Sequence, residues 1–206
     1  SSLCPIGELT KPEGRQIAEE LDLPVAHKKG STRICFIGER DFREFLKNYI
    51  PAKSGKMVDI VSKKVIGEHQ GIMYYTIGQR KGLGIGGNGE PWFVVGKDYD
   101  KNILYIAQGD SNKWLLSHGA LITDVNWVSA TKPEGEYDCT AKFRYRQRDN
   151  DVSLHFIDET TLYVTFKKPI KAVTPGQAAV FYDGDVCLGG GTIDKVYKDG
   201  KEIDYL

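Results

Sequence analysis

A cysteine with arginines on both sides is the first residue in this chain whose surroundings suggest chemistry. Cys35 stands in the run Ser31-Thr-Arg-Ile-Cys-Phe-Ile-Gly-Glu-Arg40, with Arg33 two residues before it and Arg40 five after. Nearby cations favour the thiolate, which is the reactive form, so Cys35 is a candidate sulfur-handling residue. The competing reading of any lone cysteine is a small buried hydrophobe. Cys139 and Cys187 fall inside apolar strand patterns and read as core, and Cys4 lies in a terminal segment without a pattern. The four cysteines form no Cys-x-x-Cys pair, and the histidines at 27, 69, 118 and 155 show no ligand spacing. No metal site is expected. His155 follows the outward phase of its strand; the other three read as loop residues without a role.

Two further segments carry charge in a useful pattern. In Tyr74-Tyr-Thr-Ile-Gly-Gln-Arg-Lys-Gly-Leu-Gly-Ile-Gly-Gly87, Gly82, Gly84 and Gly87 match the spacing of a dinucleotide loop. A dinucleotide site needs a following helix for the pyrophosphate, whereas Asn88-Gly-Glu-Pro-Trp92 leads into a strand, which excludes that reading. What remains is a glycine-rich loop beside Gln79, Arg80 and Lys81, suited either to a phosphate backbone or to a plain hairpin connection. In Tyr137-Asp-Cys-Thr-Ala-Lys-Phe-Arg-Tyr-Arg146, period two predicts Cys139, Ala141, Phe143 and Tyr145 on one strand face. Lys142, Arg144 and Arg146 would share the other, with Gln147 and Arg148 extending it. Such a stripe suits an RNA backbone; a solvated outer face is the alternative.

These residues need a scaffold, and composition bounds it. The chain has 206 residues, with 28 Lys and Arg balancing 28 Asp and Glu. A zero net charge means that any RNA contact comes from local clustering rather than a global field. No apolar run approaches the roughly 18 residues of a membrane span, and the N-terminus does not read as a signal peptide. A soluble, cytoplasmic chain with reduced thiols is expected.

Thr10 and Glu13 form a capping box, with Pro12 in the first turn, and predict a helix over 9–22. A second helix is expected over 41–49, stopped by Pro51. From 57 onward the period changes to two. Strands are predicted at 57–61, 73–76, 92–97 and 103–107, then at 120–127, 137–146, 152–157, 161–166, 178–182 and 186–193. Short strands with frequent turn signals predict a mainly β fold: a short helical N-terminal segment, a small central β domain and a C-terminal β-barrel, with a boundary in 108–118.

Six ordered strings then resemble one family. They are Leu9-Thr-Lys-Pro-Glu13, Ser31-Thr-x-Ile-Cys-Phe-Ile-Gly-Glu-Arg40, Met73-Tyr-Tyr-Thr-Ile-Gly-Gln-Arg80, Ala141-Lys-Phe-Arg-Tyr-Arg-Gln147, Val173-Thr-Pro-Gly-Gln177 and Phe181-Tyr-Asp-Gly-Asp-Val-Cys-Leu-Gly-Gly190. Together they closely resemble the bacterial tRNA-specific 2-thiouridylases. The resemblance implies that ATP, with Mg, adenylates the C2 oxygen of wobble uridine 34. A persulfide on the cysteine matching Cys35 then delivers sulfur. It also implies that Arg144, Tyr145 and Gln177 contact tRNA, and that sulfur arrives from a cysteine desulfurase or a sulfur-relay protein. The expected organisation is 1–36 as the tail of an ATP-pyrophosphatase domain with the cysteine loop, 37–110 as the central domain and 111–206 as the barrel, acting as a monomer. The family's Ser-Gly-Gly-x-Asp-Ser loop is not in this chain, and Gly30 and Arg33 stand where the family has Asp and Gly. A non-catalytic RNA-binding barrel module and a plain barrel interaction domain remain the alternatives.

Overall fold

The structure, a computed structural model, describes residues 5–28, 49–128, 133, 135–145 and 147–206. Cys4, Cys35, Arg33, Arg146 and nearly all of the expected second helix lie outside the described residues. The chain divides into two compact units, Ser1–Ile50 and Pro51–Leu206.

In the first unit, helix α1 spans Lys11–Glu20. The Thr10 amide and hydroxyl both donate to the Glu13 carboxylate, at 2.7 and 2.6 Å. Those bonds hold the Glu13 carboxyl below the usual carboxylate range, and Pro12 occupies the first turn without losing a needed donor. No α1 residue is buried, and the apolar Ile17 and Leu21 are exposed.

In the second unit, a four-stranded sheet comes first. It comprises β1 (Gly55–Asp59), β2 (Val65–His69), β3 (Trp92–Asp98) and β4 (Ile103–Gln108), in the order β2-β1-β4-β3. β1 and β4 run parallel; the outer pairs are antiparallel. The β3–β4 register slips between Val94 and Gly96. That bulge lets the adjacent Val94 and Val95 both be buried, as are Met57, Leu104 and Ile106 of the same sheet.

Three expectations change here. The strand expected at 73–76 is a 3₁₀ turn, Ile72–Tyr74, in which the consecutive Tyr74 and Tyr75 are both buried, a burial that strand alternation does not produce. Strand β2 is additional to the expected strands, because its Val-Ile-Gly-Glu-His sequence carries little alternation. His69 is not a loop residue: it ends β2 fully buried, and His118 lies within β5.

The remaining strands close a barrel. β5 (Leu116–Trp127), β6 (Glu136–Lys142), β7 (Asn150–Phe156), β8 (Leu162–Lys171), β9 (Ala178–Asp183) and β10 (Val186–Lys198) pair in the order β10-β5-β8-β7-β6-β9, and β9 pairs back onto β10. The short β11 (Lys201–Glu202) folds onto the end of β10. Full closure removes the free edges that an open antiparallel sheet exposes. Ala120, Ile122, Val152, Leu154, Val164, Phe181 and Ile193 fill the interior with almost no exposure. Cys139 packs against this core, as the alternation predicts.

Candidate nucleic-acid interface

Three loops from distant stretches of sequence meet at Arg144. Strand β6 ends at Lys142, so the stripe expected on one strand face is broken. Side-chain amides cause the break. Gln147 Oε1 accepts the Phe143 amide at 3.0 Å, the Gln147 amide donates to the Arg144 carbonyl at 3.0 Å, and Asn150 Nδ2 donates to the Ala141 and Arg148 carbonyls. These local bonds replace ladder bonds and close a turn. Phe143 still points inward, buried with its ring 4.9 Å from Phe166. Tyr145 does not share that inner face: it is 94% exposed.

Arg144 goes neither in nor out. Its Nη2 donates to the Ile77 carbonyl at 2.6 Å and to Thr174 Oγ1 at 3.3 Å. The first partner belongs to the turn after Tyr75 and the second to the loop between β8 and β9. Burial pulls the guanidinium pKa below its ordinary value, and Nε is buried with no acceptor among the described residues. The loops touch directly as well. A Cβ on Gly78, whose φ is +80°, would lie 2.9 Å from the Ala172 Cβ, so only glycine fits there.

Each contributing loop is braced. The Gln79 amide group accepts from the Thr76 N–H at 3.0 Å and donates to the Lys81 carbonyl at 2.9 Å, while the Gly78 amide donates to Val94. Gln79 therefore shapes the turn rather than offering a free amide to a ligand. Thr174 Oγ1 donates to the Ala172 carbonyl, and the Gln177 backbone exchanges bonds with Thr174 and Ile193, leaving the side chain exposed.

The charges divide into spent and free. Lys142 pairs with Asp149 at 3.4 Å and lies over the Tyr182 ring, so its charge is met within the protein. That pairing relieves the like-charge cost expected of the stripe. Arg80, Lys81 and Arg148 are exposed. Beyond Arg80, glycines 82, 84, 86, 87 and 89 line an open concavity together with Glu90 and Trp92. The loop leads into β3, as the sequence predicts.

The Cys139 thiol is poorly suited to chemistry. Burial, with Asp138 and Asp183 nearby, pushes the Cys139 thiol up to about 12. Sequence reasoning missed the joining role of Arg144, because its main partner is a backbone carbonyl with no signature of its own.

The arrangement presents one exposed aromatic ring, at Tyr145, next to a braced turn leading to Arg80 and Lys81 and a loop leading to Gln177. A flat ring and nearby cations are what a single-stranded or loop nucleotide needs for stacking and phosphate contact.

Comparison with known proteins gives these loops a family. Residues 1–39 match the tRNA methyl transferase HUP domain, 43–108 the tRNA methyl transferase PRC-barrel domain, and 117–193 the aminomethyltransferase beta-barrel domain. The tRNA-specific 2-thiouridylase MnmA of Bacillus cytotoxicus is 57% identical over 205 residues, which is 100% of this chain and 55% of that protein. The MnmA proteins of Bacillus cereus and Bacillus thuringiensis match to the same extent. The chain thus spans about half the length of the curated relatives it matches. With three domain matches in consecutive order and this identity along its whole length, the chain belongs to the tRNA-specific 2-thiouridylase family.

Proposed function

We propose that this chain is the tRNA-binding portion of a tRNA 2-thiouridylase, in which Cys35 is the persulfide carrier that serves as sulfur donor for C2 of wobble uridine 34. The observation that supports tRNA binding best is the meeting of the Thr76–Arg80, Lys142–Tyr145 and Val173–Gln177 segments at one joint, with Tyr145 left almost wholly exposed beside it. In this reading Tyr145 stacks on a base, and Arg80, Lys81 and Gln177 take phosphate or sugar oxygens. Lys142, partly neutralised by Asp149, and Arg146, next in sequence to Tyr145, are further candidate contacts. Residues 1–36 carry the cysteine loop at the tail of the ATP-pyrophosphatase domain, 37–110 form the central domain, and 111–206 form the barrel.

The described residues do not fit ATP or Mg. Their glycine-rich loop runs into β3 rather than a helix N-terminus, and among them no three His, Cys, Asp or Glu side chains gather into a metal site. No step of uridine adenylation is therefore assigned to the described residues. Sulfur delivery to Cys35 requires a partner with desulfurase or relay chemistry.

The test is incubation of the chain with a cysteine desulfurase and cysteine, followed by peptide mass spectrometry. A persulfide at Cys35, absent from Cys139, is expected. An unmodified Cys35 leaves the non-catalytic RNA-binding module as the better reading.

A further inference from the structure

From the position of Trp92 we infer that the central sheet carries a further RNA-binding track, in which Trp92 and Trp114 hold an unpaired nucleotide of the bound tRNA. The inference rests on the reading of Tyr145, Arg80 and Lys81 as tRNA contacts, and extends it along the surface.

Trp92 opens β3 and lines two hollows. The first is the glycine-lined concavity that starts at Arg80. The second has a volume of about 380 Å³ and is bounded by Asp59, Val61, Lys113 and Trp114 among others. That volume lies toward the lower end of the range for small-ligand clefts. Trp92 makes the two hollows neighbours, so the second continues the surface that Arg80 begins. Trp92 and Trp114 are large apolar side chains, yet neither is buried, and Val61 beside them is 69% exposed. Both tryptophans are nonetheless fixed. Trp92 pairs with Gln108 across the β3–β4 ladder, and the Gly109 amide donates to the Pro91 carbonyl at 3.0 Å. Asn112 Oδ1 accepts the Trp114 amide at 3.2 Å, and the Tyr205 ring meets the Trp114 indole edge-on at 5.4 Å. Rings held in this way need little further ordering when a ligand arrives.

Charge points to RNA as that ligand. Arg80, Lys81 and Lys113 are exposed, and none of the three meets a carboxylate among the described residues. Lys113 Nζ lies 5.4 Å from the centre of the Trp114 ring. Each hollow also holds one acidic side chain, Glu90 in the first and Asp59 in the second. The Asp59 carboxylate is held in place by the Val61 and Ser62 amides and the Ser62 hydroxyl. Carboxylates repel phosphate but accept from the amino groups of bases. Each hollow therefore combines a cation, an indole ring and an acceptor. Those are the complements of a nucleotide's phosphate, base face and amino group. A base stacked inside a duplex cannot offer its face, so the track selects unpaired nucleotides.

The test is tRNA binding by variants of this chain. A single-stranded oligoribonucleotide of about ten adenosines and a blunt RNA duplex serve as competitors. Trp92→Ala is expected to weaken tRNA binding about fivefold or more, the lower end for a lost base stack. Trp92→Phe, which keeps a ring, should recover most of that loss. Lys113→Ala, at an exposed position, should keep the wild-type Tm and lower the salt slope by about 1. The oligoadenylate should quench tryptophan fluorescence and displace tRNA at lower concentration than the duplex does. If Trp92→Ala does not fold, Lys113→Ala and the competition carry the test. Wild-type affinity in Trp92→Ala, or in its absence equal competition by the duplex, together with a wild-type salt slope in Lys113→Ala, overturns the inference. The Tyr145 interface then stands if Tyr145→Ala still weakens binding. Unchanged RNA binding with slower sulfur transfer from a cysteine desulfurase in these variants makes the track a protein-docking surface, and also overturns the inference. Wild-type binding by Tyr145→Ala and by the Arg80→Ala, Lys81→Ala double variant instead overturns the interface on which it rests.

Discussion

The Lys97 amide donates to the Tyr205 carbonyl at 2.7 Å, so the C-terminal segment lies along the outer edge of β3. That edge would otherwise present unpaired amides; the Gly78–Gln79 turn covers one part of it and Tyr205 another. The Tyr205 side chain is anchored in turn. Its hydroxyl donates to the Trp114 carbonyl at 3.1 Å, its ring meets Trp114 edge-on at 5.4 Å, and burial pushes the phenol up to about 12. Arg144 and Tyr205 therefore each join the central sheet to the barrel, as does Lys171 of β8 over the Phe93 ring of β3.

Gly96 makes the Tyr205 joint possible. A Cβ there would sit 2.0 Å from the Tyr205 carbonyl oxygen, a backbone atom that cannot swing aside. Gly96→Ala should destabilise the second unit by about 2 kcal/mol and lower Tm by roughly 4–8 °C, at about 2–4 °C per kcal/mol for a unit of this size. Removing Tyr205 and Leu206 from the same variant should add little further loss. Thermal unfolding followed by circular dichroism measures both, and two fully additive losses would place the clash elsewhere.

Stability should also depend on pH through His69. The ring is fully buried, accepting the Gly71 amide at Nδ1 and facing the Asn102 carbonyl with Nε2, which fixes the neutral Nε2–H form. Burial lowers its pKa from the ordinary 6.5. The unfolded chain takes up a proton near pH 6.5 while the folded chain does not, so stability is complete above that pH and falls as the pH drops below it. The loss approaches ~1.4 kcal/mol per pH unit until the folded-state pKa is reached. Urea unfolding at pH 7.5 and 5.5 measures it, and a His69→Asn variant should show a smaller difference between the two. An equal difference in the variant would assign the effect to other groups.

Thiol reactivity should separate the cysteines sharply. With its pKa near 12, Cys139 is ionised in only about one molecule in ten thousand at pH 8 and should resist iodoacetamide. Cys35, between Arg33 and Arg40, should alkylate first. Peptide mapping over a time course reads the order, and Cys139 reacting as fast as Cys35 would remove the distinction.

Much of this fold is legible in the sequence because its signals are local. Thr10 and Glu13 are three residues apart and cap α1 as their types require, and period two finds every long barrel strand. What is not legible depends on partners far away or on side chains acting against the local pattern. The partner of Arg144 lies 67 positions earlier and is a carbonyl, which any residue could supply. The end of β6 at Lys142 follows from the amides of Gln147 and Asn150 competing for backbone groups inside an otherwise alternating string. His69 reads as polar, yet two backbone partners satisfy both ring nitrogens and let it be buried. The resemblance singles out Arg144 and Tyr145 as a pair; in the structure the first is half-buried and bonded to Ile77 and Thr174, and the second is exposed.

The tRNA interface itself is tested most directly by the salt dependence of binding. Dissociation constants for unmodified tRNA should be measured from low to moderate salt for the chain, for Tyr145→Ala and for the Arg80→Ala, Lys81→Ala double variant. Tyr145 is almost wholly exposed, so its loss should leave Tm within about 1 °C, since exposed substitutions of this kind change stability by less than ~0.5 kcal/mol. The account predicts that Tyr145→Ala weakens binding about tenfold with an unchanged salt slope, as for a lost base stack. It predicts that the double variant weakens binding and lowers the slope by roughly 1–2, as for lost phosphate contacts. Binding and slope equal to those of the unaltered chain in both variants would contradict it.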